Sequence, residues 1–412
     1  MPLWRMKIMR FFARICALLL CMAMLFTMGA CHKKGETVMT IGDVEISSGL
    51  YLSFLVDAFN EFTQHQDIAN AIGENTVSSA KDYFEYELEG KDAITWIKDK
   101  AKDLCSEYAA VKSFFKEYDL SLTNEELETI DSYVDYYWEN GYDEYYGGNG
   151  VSKESYRETL TFYTMKSVVF NYYYSKPNEE TGKGGIKEVP MSELLVKLEE
   201  DYLLVETLSI STEETDDKGA TVSKTDAEIN KDKAKLEGYA NRINKGSATF
   251  DEVNKEYQKE IGKNQESTED TTTTDDGHNH EEGETHEEEL KSIYPSTATL
   301  YSINDTDSNG QSATENYERF LDIKEDNKIE YGKATVVKEG TNQTLVIFYD
   351  LSKDEYYADQ CRATLLKSLK EEDFEKIIDE KIGTLTINAN DSLVKYYSPK
   401  KLKFGEEDNH NH

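Results

Sequence analysis

The stretch 92–118 constrains the fold of this chain more than any other part of the sequence. Its apolar residues follow one another at alternating spacings of three and four positions: Ile94, Ile97, Ala101, Leu104, Tyr108, Val111, Phe115 and Tyr118. That spacing is typical of an amphipathic helix whose apolar stripe faces a protein core. A helix of this length must pack against other helices, so the sequence predicts a helical domain in the first half of the chain.

Other structural signals lie on both sides of that helix. Residues 122–127 read Leu-Thr-Asn-Glu-Glu-Leu, in which Thr123 caps a helix and Glu126 is its partner three positions later. A further helix is expected over 152–174. On the N-terminal side, residues 38–47 form two short β runs around a Gly-Asp turn, and the serine that ends them caps the next helix.

The second half of the chain alternates strands and helices. Residues 176–190 contain two prolines and three glycines, which is typical of a linker between domains. Beyond the linker, the patterns predict helices over 191–201, 225–246, 249–257, 317–323 and 354–382, and strands over 202–210, 333–338 and 343–351. Residues 385–404 are expected to be short and irregular.

Composition excludes several classes of function. A chain of 412 residues favours two domains, and its formal net charge of -35 repels nucleic acid and anionic lipid while attracting cations and basic unfolded chains. The chain has 28 tyrosines against 16 phenylalanines, which indicates either exposed contact surfaces or half-wet cores. The sequence has no His-Glu-x-x-His motif, nucleophile–histidine pairing or phosphate-binding glycine loop, so hydrolase, kinase and dinucleotide-binding functions have no support.

The first 30 residues have the features of a secretory signal peptide. Four basic residues precede a short apolar run, and small residues follow it. The ending Gly29-Ala30-Cys31 resembles a bacterial lipobox, with Met28 where leucine is preferred. This resemblance implies cleavage before Cys31, a lipid on its sulfur, and a protein anchored to the cell membrane on the extracytoplasmic face. An ordinary signal peptide with an incidental cysteine is the alternative.

Cysteines and histidines are the remaining reactive side chains. Cys105 and Cys361 can form a disulfide outside the cytoplasm or remain buried thiols. Residues 264–289 include eleven acidic residues and no basic ones, which predicts a disordered loop. Three histidines in this segment could bind zinc loosely or belong to a plain solvated loop: His278, His280 and His286. No other cofactor is expected.

The order of these parts resembles the extracytoplasmic foldases of the PrsA and SurA type. Three local matches carry the resemblance: the hairpin V-M-T-I-G-D-V-E-I-S before a helix, the capping box L-T-N-E-E-L, and A-T-F-D-E-V at 248–253, which is similar to a parvulin helix. The resemblance implies an α+β fold, in which a mainly helical chaperone domain is split by an inserted parvulin-like α/β module with a small antiparallel sheet. It places the helical domain at 31–189, the module at 190–352 and the C-terminal return at 353–412.

The resemblance also implies a function, which two departures from the family pattern modify. Parvulin-like modules usually carry a histidine on the first strand and another on the last, and here Thr207 and Leu345 stand at those positions. We therefore expect a chaperone whose prolyl isomerase activity is weak or lost. An active peptidyl-prolyl isomerase and a zinc-capturing lipoprotein are the alternatives. The implied partners are unfolded or nascent secreted polypeptides and the membrane, and not nucleic acid.

An aromatic patch is the candidate surface for holding such polypeptides. Its members lie toward the end of the helix that follows the capping box: Tyr133, Tyr136, Tyr137 and Trp138. Tyrosine and tryptophan offer large apolar areas with a polar tip, which suits varied contacts. The same patch could instead belong to the core of the domain.

Overall fold

The computed structural model describes residues 35–73, 80–178, 181–216, 218–262, 291–304 and 314–403. The chain divides into two compact units. The helical unit comprises Met1–Lys187 and Glu372–His412, and the sheet unit comprises Glu188–Glu371. The fold is α+β with small antiparallel sheets, which agrees with the coarse fold class implied by the resemblance. The predicted signal peptide, Cys31 and the segment 264–289 with its three histidines lie outside the described residues.

The first half of the chain begins with a hairpin and continues mainly as helices. Its strands are β1 (Thr37–Ile41), β2 (Val44–Ser47), β3 (Glu87–Leu88) and β4 (Lys91–Asp92). Its helices are α1 (Ser48–Gln64), α2 (Gln66–Ile72), α3 (Ala80–Tyr83), α4 (Ala93–Glu117), α5 (Asn124–Tyr137), α6 (Asp143–Tyr145) and α7 (Lys153–Tyr174). A π-helical turn, Trp138–Tyr142, follows α5, and a 3₁₀ turn, Gly147–Asn149, precedes α7.

The second half contains the larger sheet and then returns to helices. Its strands are β5 (Tyr202–Ser211), β6 (Glu213–Thr215), β7 (Thr221–Ser223), β8 (Thr299–Ser302), β9 (Thr335–Glu339), β10 (Asn342–Tyr349) and β11 (Ile387–Ala389). Its helices are α8 (Met191–Asp201), α9 (Asp226–Asn244), α10 (Phe250–Gly262), α11 (Glu315–Asp326), α12 (Glu355–Gln360), α13 (Arg362–Ile382) and α14 (Asp391–Tyr396). Two 3₁₀ turns complete it, Leu351–Lys353 and Pro399–Lys401.

Helix α1 is the centre of the helical unit and packs against α4 and α7. Ser47 caps α1, and a buried hydrogen bond of 2.8 Å joins Thr159 of α7 to Ser53 of α1. The predicted helix over 92–118 is α4, and its predicted stripe is buried from Ile97 to Val111. Near its end the buried ring is Phe114 and not the predicted Phe115, because Phe114 packs against Tyr118 and against Tyr173 of α7.

Two predictions about the C-terminal part are wrong. The stretch 385–404 was expected to be irregular, but within its described part β11 pairs antiparallel with β1, with Ala389 opposite Met39. All of β11 is exposed, so no apolar pattern marks it, and its backbone hydrogen bonds hold it in the sheet. The helix predicted over 354–382 is broken into α12 and α13 at Cys361, whose φ of -91° and ψ of 3° are not helical.

The sheet of the sheet unit has the antiparallel strand order β8-β5-β10-β9. Helices α9 and α10 cover one face, where Leu208 and Leu345 belong to one core. Helix α11 covers the other face, where Phe320 and Val346 belong to a second core. Side chains alternate along a strand, so neighbouring residues of β5 or β10 face different cores.

The sheet unit extends further along the chain than the predicted module. The module was expected to end at residue 352, whereas the unit ends at Glu371. Helix α12 packs against α8, and the hydroxyl of Ser292 donates a hydrogen bond of 2.6 Å to the carboxylate of Asp354 at the start of α12. These contacts tie the beginning of the predicted C-terminal return to the sheet unit.

Candidate functional site

Two adjoining pockets on the helical unit share two lining residues and form a candidate cavity for a ligand. The outer pocket has a volume of about 530 Å³ and is lined by Glu125, Glu126, Thr129, Ile130, Tyr133, Tyr137, Leu160, Tyr163 and Thr164. The inner pocket has a volume of about 360 Å³ and is lined by Asp57, Asn60, Glu61, Gln64, Tyr142, Tyr146, Tyr156, Thr159, Leu160 and Tyr163. Leu160 and Tyr163 line both, and we call the pair of pockets the tyrosine groove.

Helix periodicity explains how α5 and α7 supply the outer pocket. On α5, Ile130, Tyr133 and Tyr137 are three or four residues apart and therefore share a face. On α7, Leu160 and Tyr163 have the same relation. Ile130 is buried, whereas Tyr133 and Tyr137 are 55% and 37% exposed. The outer pocket thus has an apolar floor and accessible tyrosine rings on its side.

The turn after α5 directs later tyrosines into the inner pocket. Gly141 has a φ of 107°, a conformation that favours glycine, and it ends the helical path within the π-helical turn. Beyond this point, Tyr142 and Tyr146 pack in the core beside α7. The ring of Tyr142 also stacks on Tyr137, with centroids 5.1 Å apart, and Tyr137 is in turn 6.3 Å from Tyr133. A continuous series of rings therefore links the exposed side of the groove to its inner pocket.

Asp57 is one of the two acidic residues that line the inner pocket, the other being Glu61. It lies on α1 and is half-buried, and its two carboxylate oxygens accept hydrogen bonds from Tyr146 (2.7 Å) and Tyr163 (3.0 Å). Burial raises the pKa of Asp57 to about 6, even though the two hydroxyl donors act in the opposite direction. The nearby carboxylate of Glu61 adds to the rise. Burial also raises the pKa of both tyrosine hydroxyls, so they remain donors at neutral pH.

The charged residues that line the groove are acidic. Four carboxylate side chains line its two pockets, and within the described part of the chain no lysine, arginine or histidine is among the lining residues. Glu61 forms an ion pair of 2.6 Å with Lys100 outside the lining, and Glu126 accepts a hydrogen bond from the backbone of Thr123 as the cap of α5. The remaining lining carboxylates, Asp57 and Glu125, favour a cationic ligand.

The predicted aromatic patch is divided between surface and core. Tyr133 and Tyr137 line the outer pocket. Tyr136 is 62% exposed but does not line the groove. Trp138 is half-buried and packs on Tyr156 in the core, with ring centroids 6.1 Å apart. The patch therefore contributes residues to an accessible surface and also a residue to the core, so each of the two interpretations holds for part of it.

Sequence reasoning missed Asp57 and Tyr163. One signal was available for Asp57, because it lies in Val-Asp-Ala-Phe within the apolar stretch of α1, where a carboxylate is unusual. Tyr163 lies 106 residues further along the chain. Nothing local in the sequence indicates that its hydroxyl reaches Asp57.

No protein-family model matches this chain. No curated protein sequence matches it either.

The structure does not bring Thr207 and Leu345 together. Thr207 lies opposite Val346 in the sheet and is exposed, whereas Leu345 lies opposite Leu208 and is fully buried beneath α9 and α10. The two side chains therefore lie on opposite faces, and they cannot line one cleft. On the face of Thr207, β10 places Val346 directly opposite Thr207 and Thr344 opposite Ser209.

A small group of hydroxyls occupies that face of the sheet. The hydroxyls of Ser209 and Thr344 are 2.9 Å apart, and Thr344 also donates a 3.2 Å hydrogen bond to Glu339. Arg319 of α11 forms an ion pair of 3.1 Å with the same glutamate. Thr344 is buried, and Glu339 and Ser209 engage its hydroxyl, so of the two threonines only the exposed Thr207 can donate a hydrogen bond to a peptide carbonyl.

The two cysteines are free thiols in separate units. Cys105 is buried in α4 of the helical unit, and Cys361 is half-buried at the helix break in the sheet unit. Burial raises the pKa of both thiols, which lowers the fraction of reactive thiolate. Cys105 and Cys361 are therefore free thiols in the structure and do not form the alternative disulfide.

The described residues contain neither a metal-binding cluster nor a membrane-spanning helix. Among them, no group of three or more His, Cys, Asp or Glu side chains is arranged to hold a metal ion. No helix in that part of the chain has the length and apolar character to cross a membrane. Cys31, His278, His280 and His286 lie outside these ranges.

Proposed function

We propose that this chain is a lipid-anchored extracytoplasmic chaperone that holds unfolded secreted polypeptides in the tyrosine groove. The observation that carries the proposal is the accessible aromatic wall of the groove, where Tyr133 and Tyr137 stand above an apolar floor. Tyrosine provides contact area at low cost in conformational entropy and tolerates both apolar and polar neighbours. Such a wall suits unfolded chains of varied sequence.

The division of the chain supports the same proposal. The helical unit is built from the two ends of the chain, and the sheet unit is one continuous insertion between them. This is the arrangement implied by the resemblance to PrsA- and SurA-type foldases. The antiparallel order of the inserted sheet is compatible with a parvulin-like module. An anchor at Cys31 would keep the helical unit where secreted chains emerge unfolded.

Suppression of aggregation tests the proposal directly. A chemically unfolded client is diluted into buffer with the chain from residue 32 onward, and light scattering is followed. We expect less scattering at a several-fold excess of chaperone, and a weaker effect for Tyr133→Ala. Tyr136→Ala is the matched control, because Tyr136 is exposed on the same helix but outside the groove. No suppression by the unaltered chain, or equal loss in both variants, would count against the proposal.

Residual prolyl isomerase activity is the second candidate function. The hydroxyl side chains on the face of the sheet that α11 covers favour it. Isomerisation needs no nucleophile, but it needs groups that bind or desolvate the amide against a barrier of about 18–20 kcal/mol. Thr207 offers one exposed hydroxyl, whereas Thr344 is buried, so we expect little or no acceleration of proline-limited refolding. A clear acceleration that Thr207→Ala abolishes would identify an active isomerase.

A further inference from the structure

We propose that the inner pocket is a subsite for a lysine or arginine side chain of the held polypeptide. The inference deepens the proposed function and rests on it, since it assigns a preferred residue class to one part of the tyrosine groove. Its basis is the joint placement of a half-buried carboxylate, several tyrosine rings and an acidic surround within one cavity.

The carboxylate of Asp57 is oriented by its partners and retains capacity for a ligand. Tyr146 donates to one oxygen and Tyr163 to the other, so each oxygen holds one hydrogen bond from the protein. A carboxylate can accept about four hydrogen bonds, which leaves about two positions for donors from a ligand. An ammonium or guanidinium group supplies such donors together with the opposite charge.

The remaining lining suits the stem and the charge of a long basic side chain. Rings of Tyr142, Tyr156 and Tyr163 surround the cavity, and aromatic faces attract cations. Leu160 and the rings provide apolar surface against which the methylene stem can pack. The cavity volume of about 360 Å³ lies at the lower end of the range for small-ligand pockets and can accept one such side chain.

Charge complementarity identifies the occupant. An acidic or phosphorylated segment would be repelled by Asp57 and Glu125, because none of the described lining residues carries a positive charge. A basic segment meets attraction at the pocket and from the whole chain, whose formal net charge is -35. The continuous series of tyrosine rings allows aromatic neighbours of the basic residue to occupy the outer pocket at the same time.

Paired peptides test the inference. Fluorescein-labelled ten-residue peptides with two tyrosines and a central lysine, norleucine or glutamate are titrated with the chain from residue 32 onward, and binding is followed by fluorescence anisotropy. We expect the lysine peptide to bind roughly tenfold more tightly than the norleucine peptide, and the glutamate peptide to bind most weakly. This comparison uses the unaltered protein and therefore does not depend on whether a variant folds.

Two variants then locate the preference. Asp57→Asn should weaken binding of the lysine peptide to within twofold of the norleucine peptide, with the norleucine affinity unchanged. Glu128→Gln removes the same charge from an exposed position of α5 outside the groove and should retain the preference. Equal affinity of all peptides for the unaltered chain, or equal weakening of lysine and norleucine peptides by Asp57→Asn, overturns the subsite but not the chaperone. Absence of binding by every peptide overturns both.

Discussion

Asp57 should make the folded helical unit less stable at neutral pH. Its pKa rises from an ordinary value of 3.8 to about 6 on folding, so the folded protein binds this proton more tightly than the unfolded chain does. Stability is therefore lost as pH rises from about 4 to about 6, and the loss is complete above that range. At about 1.4 kcal/mol for each tenfold change in proton affinity, the loss is about 3 kcal/mol.

Replacing the charge should recover part of this energy. Asp57→Asn keeps the size of the side chain and one acceptor oxygen, and its amide can donate to the other tyrosine hydroxyl. A less favourable hydrogen bond costs about 1 kcal/mol. We therefore expect the variant to be more stable than the unaltered chain by about 1–2 kcal/mol at pH 7.5, and equal to it within about 1 kcal/mol at pH 4.

Urea unfolding followed by tryptophan fluorescence measures this difference. In the chain from residue 32 onward, the tryptophans are Trp96 and Trp138, and both belong to the helical unit. The signal therefore reports on the unit that contains Asp57. Glu128→Gln, an exposed change of the same charge, should leave the curve in place at both pH values. A destabilised Asp57→Asn at pH 7.5, or the same difference at both pH values, would refute the argument from burial.

Substitutions at four further residues test other parts of the molecule in three experiments. Leu345→Ala should destabilise the sheet unit by about 2–5 kcal/mol and Thr207→Ala by less than about 0.5 kcal/mol, because Leu345 is fully buried and Thr207 is exposed. Thermal unfolding followed by far-UV circular dichroism measures both losses of stability. Similar losses in the two variants would contradict the faces assigned to these residues. Glu206→Ala should cost about 2–3 kcal/mol in the same assay, because the buried carboxylate accepts hydrogen bonds from Tyr349 and from a threonine, and Glu206→Gln should cost less. Cys31→Ala should abolish incorporation of labelled palmitate and release the protein from the membrane fraction or leave it unprocessed, and continued labelling would exclude Cys31 as the site.

Local signals predicted most of the elements. The predicted capping box of Thr123 with Glu126 is present, and Thr225 forms the same pair of hydrogen bonds with Glu228 at the start of the helix expected over 225–246. Helix α8 has the predicted bounds. These features depend on residues three or four positions apart, so a single stretch of sequence contains the whole interaction.

Features that depend on distant pairing were missed or misplaced. The strand β11 is held by β1, about 350 residues earlier in the chain, and carries no apolar pattern of its own. Whether Leu345, or instead Val346 and Thr344, shares the face of Thr207 depends on strand register, because a shift of one residue exchanges the two faces. Register is set by the partner strand, which the pattern of β10 alone does not reveal.

The tyrosine groove shows why tyrosine, and not phenylalanine, is abundant in this unit. The abundance of tyrosine is compatible with an exposed contact surface or with a core that is partly accessible to water. The groove contains tyrosines of both kinds. Tyr133 presents its ring to solvent, whereas Tyr146 is buried and uses its hydroxyl to satisfy Asp57. Phenylalanine at position 146 or 163 would fill similar space but would leave a half-buried carboxylate short of a donor, at a cost of about 1–3 kcal/mol. An acidic group inside an aromatic pocket therefore requires phenol rings around it, and the same rings give the groove its apolar surface.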